Sequence, residues 1–132
     1  MNRKHAVFVY GTLKRGKPNH FFLRGARFLG RAETVEPYAL FEDEYPIVSR
    51  TPAVGPVLGE VYVLDEKALR RLDVLEQHPE IYRREQVPIR LEGGAVREAW
   101  LYFHPEPSGR LIPSGDWSGL DTDPDDEPPV SG

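Results

Sequence analysis

Hydrophobic and polar positions change their spacing several times along the chain, and each change marks an element. His5 to Tyr10 (H-A-V-F-V-Y) is an apolar run of strand-favouring residues that stops at Gly11, which predicts a buried strand. Gly11 to Asn19 is turn chemistry, with Asn19 placed to cap a short helix through His20, Phe21, Phe22 and Leu23 before Gly25. From Arg27 to Pro56 the chain is broken by Pro37, Pro46, Pro52 and Pro56. The apolar pieces between them, such as Tyr38 to Phe41 and Tyr45 to Val48, read as short or edge strands. Val57 to Leu64 is the clearest strand of the middle third. Asp65 then offers an N-cap for a helix that must end near His78, because Pro79 disfavours helical geometry in the residue before it. Tyr82 to Leu91 alternates as a half-buried strand does, and Gly93-Gly94 turns it into Val96 to His104 as a hairpin. No internal repeat is visible.

The helix carries an anomaly. At about 100° per residue Ala68, Leu69, Leu72 and Leu75 share one side, while Lys67, Arg70 and Arg71 lie away from it. Glu76 falls seven positions after Leu69 and four after Leu72, so it points into the apolar stripe. A carboxylate there is costly unless it is paired, hydrogen-bonded or protonated. Either it bends out to solvent or pairs with a buried Arg near the helix end, or it is a partly buried general acid/base that holds its proton more tightly than usual. Asp73, one turn earlier, is expected to be an exposed helix-edge acid.

Composition narrows the picture. A chain of 132 residues, 39% hydrophobic and 29% charged, fits one ordinary domain, expected over residues 1–120. The absence of Cys removes thiolate nucleophiles, iron–sulfur clusters and Cys-based zinc sites. Net charge is −4, yet Asp116, Asp121, Asp123, Asp125, Asp126 and Glu127 account for more than that. Without those six, bases outnumber acids by two, too few for a dedicated nucleic-acid binder. Residues 121–132 read as a solvated, acidic, proline-rich tail, while Trp117 has the apolar surface to dock on the body. Neither a signal peptide nor a membrane span is expected, which suggests a cytoplasmic protein.

Other candidate chemistry is sparse. Tyr10-Gly11-Thr12-Leu13 is a strand end turning at a glycine, which can aim backbone N–H groups at a carboxylate or a developing oxyanion. Gly11 to Pro18 nearly matches the phosphate-binding pattern G-x-x-x-x-G-K-[ST], but Pro18 sits where a hydroxyl must hold magnesium. His5, His20, His78 and His104 lack metal-ligand spacing, so structural or surface roles are expected and no metal is assigned.

Val7 to His20 (V-F-V-Y-G-T-L-K-R-G-K-P-N-H) resembles the opening motif of the γ-glutamylcyclotransferase-like (AIG2-like) family, and within it the γ-glutamylamine cyclotransferase branch. Gly59-Glu60-Val61-Tyr62, Leu72-Asp73-Val74-Leu75-Glu76, Tyr82-Arg83-Arg84 and Trp100-Leu101-Tyr102 extend the likeness. The resemblance implies an α+β fold: a compact mixed β-barrel with short helices. It implies that Tyr10, Gly11, Thr12 and Leu13 bind a small-molecule γ-glutamyl substrate and that Glu76 is the catalytic acid/base, the residue that periodicity had singled out. It also implies a cofactor-independent reaction in which the α-amine attacks its own γ-carbonyl, closing 5-oxoproline and releasing the attached amine. Tyr82 and Tyr102 either line that pocket or are strand aromatics of the core. A γ-glutamyl deprotection enzyme of a biosynthetic pathway, or a non-catalytic metabolite-binding module, would use the same pocket. A monomer without nucleic-acid or membrane partners is expected.

Overall fold

The computed structural model describes residues 3–118. The boundary near residue 120 and the acidic tail expected from 121 onward lie outside the described residues. Five strands close a barrel in the order β1 (Lys4–Val9), β5 (Leu58–Asp65), β2 (Arg27–Thr34), β6 (Arg83–Leu91) and β7 (Val96–Phe103). Neighbours run antiparallel except at the seam, where β1 meets β7 in parallel at Val7 and Trp100. A smaller sheet, in the order β4 (Pro46–Ser49), β3 (Ala39–Glu42) and β8 (Arg110–Leu111), accompanies it. One α-helix, α1 (Glu66–Leu75), and a 3-10 turn (His20–Leu23) complete the described chain.

Two cores explain why His5–Tyr10 reads as a run rather than an alternation. Ala6, Phe8 and Tyr10 belong to one cluster, which also takes Val61, Val87, Ile89, Leu101 and Phe103. Val7 and Val9 point the other way, into a second cluster with Tyr62, Leu64 and the helix residues Leu69 and Leu72. With successive side chains on opposite faces, a strand packed on both sides needs apolar residues at every position. Helix α1 covers the second face through the stripe that its periodicity predicts.

The helix begins as expected, with the Asp65 carboxylate accepting from the Ala68 N–H at 2.8 Å. Its end differs. The α-helix stops at Leu75, short of His78, and Glu76 is its C-cap. Gln77 takes a left-handed φ of 53°, so the Gln77 and His78 N–H groups bond back to the Val74 and Asp73 carbonyls. This wrapped ending satisfies the last carbonyls before proline geometry has any say.

The segment from Arg27 to Pro56 needs a further correction. Besides the short strands β3 and β4, it contains β2, an eight-residue barrel strand paired with both β5 and β6. The register shifts between Phe28 and Gly30, and Gly30 has a φ of 146°. This irregularity, with one face half-exposed, hides the period a strand would otherwise show. Strand β8 was likewise not anticipated. Trp117 docks as expected: it is 3% exposed and its indole N–H donates to Glu42 at 2.6 Å.

Gly59 lies against β1 with no room for a side chain. A Cβ there would lie 2.2 Å from the Val9 carbonyl oxygen and 2.7 Å from the Phe8 ring. Backbone in the sheet cannot step aside, so Gly59→Ala is expected to destabilise the fold by about 3 kcal/mol or more, read as a fall in the urea midpoint with little change in m.

Candidate active site

Glu76 sits at the end of α1 and is 2% exposed, so it does not bend out to solvent. The stripe turns it inward, and the N–H of Glu76 bonds to the Leu72 carbonyl at 2.9 Å, keeping the last helical turn intact to that residue. It opens onto a pocket of about 350 Å³, shared with Tyr45, Ile47, Leu75, Tyr82 and His104 among others. The Tyr82 N–H bonds to the Glu76 carbonyl at 3.3 Å, tying the start of β6 to the helix end.

Two phenols stand close enough to Glu76 to feel its charge. Burial pushes the Tyr10 hydroxyl well up from its ordinary value, and the charges of Tyr82 and Glu76 push it further. The Tyr102 hydroxyl is also raised, by burial first and then by its hydrogen bond to Asp73. Both therefore remain phenols and act as donors at neutral pH. Tyr10 donates to the Tyr102 carbonyl at 3.0 Å, and Tyr102 donates to Asp73 at 2.6 Å.

Asp73 is not the exposed acid expected of it. Arg84 grips it with two bonds, Nε to Oδ1 at 2.7 Å and Nη2 to Oδ2 at 3.1 Å, and its side chain is only 17% exposed. Desolvation works against the charged form, but the bonds from Arg84 and Tyr102 win and hold the carboxyl below its ordinary value. The guanidinium stacks 4.2 Å from the centre of the Trp100 ring. Sequence reading missed this network because its members come from three elements. Leu-Asp preceding the inward Glu was the only local signal.

The Tyr10–Leu13 loop is buried throughout, with Tyr10, Thr12 and Leu13 at 4%, 1% and 2% exposure. Its carbonyls serve the chain itself: Gly11 accepts from Lys14 N, Thr12 from Asn19 N at 2.8 Å, and Leu13 meets the His20 ring at 3.0 Å. The loop does not form the wall of the Glu76 pocket, and Tyr10 is the member that reaches the Glu76 neighbourhood. Of the two aromatics left open by the sequence, Tyr82 lines the pocket and Tyr102 packs behind it.

A larger depression, about 540 Å³, lies on β2, β5 and β6, and its wall includes Lys14, Arg31, Glu33, Glu60, Arg90 and Asp116. Several of these charges already serve the protein. Arg90 pairs with Glu33, Glu60 accepts from Arg15 N and Tyr62, and Lys14 donates to the Trp117 carbonyl at 2.6 Å. Size favours this depression, but the buried Glu76 lines the smaller pocket. His5 pairs with Glu66, and His78 and His104 each accept a backbone N–H, His104 also lining the smaller pocket. Among the described residues no cluster of His, Asp and Glu is placed to hold a metal ion, and no helix is long and apolar enough to cross a membrane.

Comparison with known proteins gives a consistent picture. Residues 7–119 match a family described as γ-glutamyl cyclotransferase, AIG2-like. A Methanocaldococcus jannaschii protein provisionally named a γ-glutamylcyclotransferase is 46% identical over 112 residues, 84% of this chain and 93% of the relative. A γ-glutamylaminecyclotransferase of Bos taurus is 48% identical over 96 residues, 66% of this chain and 57% of its own. The crystal structure of an AIG2-like protein from Mus musculus superposes with a TM-score of 0.71 at 35% identity, covering 76% of this chain and 77% of that one.

The Asp73 geometry fixes an acid dependence. With its carboxyl held below the ordinary value of 3.8 in the folded state, Asp73 contributes stability that is fully present above that value and is lost as pH falls below it. Urea unfolding followed between about pH 2 and 5 should show this loss in wild type, and a shallower acid limb in Asp73→Asn.

Proposed function

Because the chain belongs to the γ-glutamyl cyclotransferase, AIG2-like family, we propose that it converts a γ-glutamyl amine to 5-oxoproline and the free amine, with Glu76 as general acid/base. The observation that carries this reading is a glutamate, 2% exposed, that lines a pocket large enough for a small substrate. The reaction asks for one group that can take a proton and give it back. Glu76 accepts a proton from the α-amine as its nitrogen bonds to the γ-carbonyl carbon. It then returns the proton to the leaving nitrogen as the old amide C–N bond breaks. No second titrating group is required, because acceptor and donor are the same carboxyl in successive steps.

Ring closure is intramolecular, so holding the substrate folded, with amine against carbonyl, supplies much of the rate. Tyr82 and the apolar side chains of Ile47 and Leu75 give the pocket the shape to do so. The Tyr10–Leu13 loop enters the proposal as the donor side of the site. Backbone N–H groups of this loop are the donors proposed for a substrate carboxylate or for the oxyanion of the tetrahedral intermediate. The relatives' names point to a γ-glutamyl group on an amine as the substrate class, and γ-glutamyl-ε-lysine is a first choice for trial.

A panel of γ-glutamyl amines and γ-glutamyl dipeptides, assayed for 5-oxoproline release, tests the proposal. Wild type should turn over at least the amine derivatives, and Glu76→Gln should lower kcat by roughly a hundredfold to ten-thousandfold. Comparable rates in wild type and Glu76→Gln would remove Glu76 from the chemistry. Tight binding of a γ-glutamyl compound with no release of product would identify a metabolite-binding module.

A further inference from the structure

Asp73 and Glu76 stand three residues apart at the end of one helix, yet the structure treats them in opposite ways. Glu76 faces the pocket; Asp73 does not. Both Asp73 oxygens are committed, Oδ1 to Arg84 Nε and the Tyr102 hydroxyl and Oδ2 to Arg84 Nη2. Arg84 and Tyr102 are themselves opposite one another, as a cross-strand pair between β6 and β7. One carboxylate on the helix thus joins both members of one rung of the barrel.

The same rung holds the chain on the far side of Glu76. The Asp73 carbonyl accepts from the His78 N–H at 2.9 Å, and the His78 ring accepts from the Arg84 N–H at 3.2 Å. Glu76 is therefore bracketed, three residues before and two after, by groups bonded to Arg84. The Tyr102 carbonyl takes the Tyr10 hydroxyl at 3.0 Å, so the rung also reaches the strand end that leads into the Tyr10–Leu13 loop. A bidentate guanidinium–carboxylate pair fixes direction as well as distance, and stacking on Trp100 limits the ways Arg84 can turn.

Given the cyclotransferase reading of Glu76, we propose that Asp73 is a positioning residue: clamped by Arg84 and Tyr102, it holds the helix end so that the Glu76 carboxylate meets the substrate nitrogen in register. Asp73 touches no reacting atom and transfers no proton. Its effect falls on the chemical step, where a misplacement of about 1 Å costs on the order of a hundredfold, and not on substrate capture.

Steady-state kinetics on the full 132-residue chain at 25 °C test this, with kcat, KM and Tm measured for wild type, Asp73→Asn, Arg84→Gln, Arg84→Lys and Thr34→Ala. Thr34 is a buried β2 residue outside the pocket, bonded to Glu36 and Val57, and serves as a control for lost stability. Asp73→Asn should lower kcat about tenfold or more with KM changed by less than about twofold. Arg84→Lys, which keeps the charge but not the fork, should retain more kcat than Arg84→Gln. Thr34→Ala should lose Tm and keep its kcat. A folded Asp73→Asn with wild-type kcat would overturn the proposal, as would kcat losses that follow Tm alike in all variants. Should Asp73→Asn not fold, equal kcat in wild type, Arg84→Lys and Arg84→Gln would overturn it. If wild type and Glu76→Gln differ in turnover while Asp73→Asn matches wild type, only the positioning role fails. If wild type releases no 5-oxoproline from any γ-glutamyl amine, the cyclotransferase reading fails and takes the positioning role with it.

Discussion

Burial of one side of a ten-residue helix against the outside of the barrel sets the direction of the groups at the candidate site. Leu69 and Leu72 are 1% and 0% exposed, and they pack in one cluster with Val7 and Val9 of β1 and Tyr62 and Leu64 of β5. Rotating the helix to free Glu76 would re-expose Leu69 and Leu72, at a cost of roughly 1.5–3 kcal/mol for each. The helix therefore imposes the burial on Glu76. The wrapped ending at Gln77 then turns the chain directly toward β6, so that Tyr82 arrives beside the same carboxylate.

Around that constraint the barrel separates two acids by environment. Asp73 receives a guanidinium and a phenol, and its proton is released more readily than usual. Glu76 receives apolar side chains, a pocket and two phenols that keep their protons. Pairs of titratable groups given such different surroundings are suited to different tasks, one holding charge and the other moving a proton. Both the stability of the helix end and the proposed chemistry converge on the Arg84–Tyr102 rung.

Much of this was legible from residue order alone, for reasons that can be named. His5–Tyr10 was readable because a strand buried on two faces leaves an unbroken apolar run. The inward direction of Glu76 was readable because spacings of four and seven from Leu72 and Leu69 are local helix geometry. Strand β2 was not readable: a register shift before Gly30 breaks its period, and only Ala32 and Thr34 of its eight residues are buried. The helix end was misplaced because Pro79 is a visible stop, whereas a left-handed Gln77 leaves no mark in composition. Asp73 looked exposed because its partners stand 11 and 29 residues further on, brought together only by the β6–β7 register. The pocket's other lining groups, Tyr45 and His104 among them, come from short loops whose course depends on the smaller sheet.

The proposed function requires the chemistry to belong to the smaller pocket beside Glu76 and not to the larger depression on β2, β5 and β6. A crystal structure of the protein with 5-oxoproline bound decides between the two. The ring is expected in the Glu76 pocket, its lactam nitrogen within hydrogen-bond distance of the Glu76 carboxyl and its own carboxylate turned toward the Tyr10–Leu13 loop. A ring seated instead among Lys14, Arg31 and Arg90, away from Glu76, would contradict it.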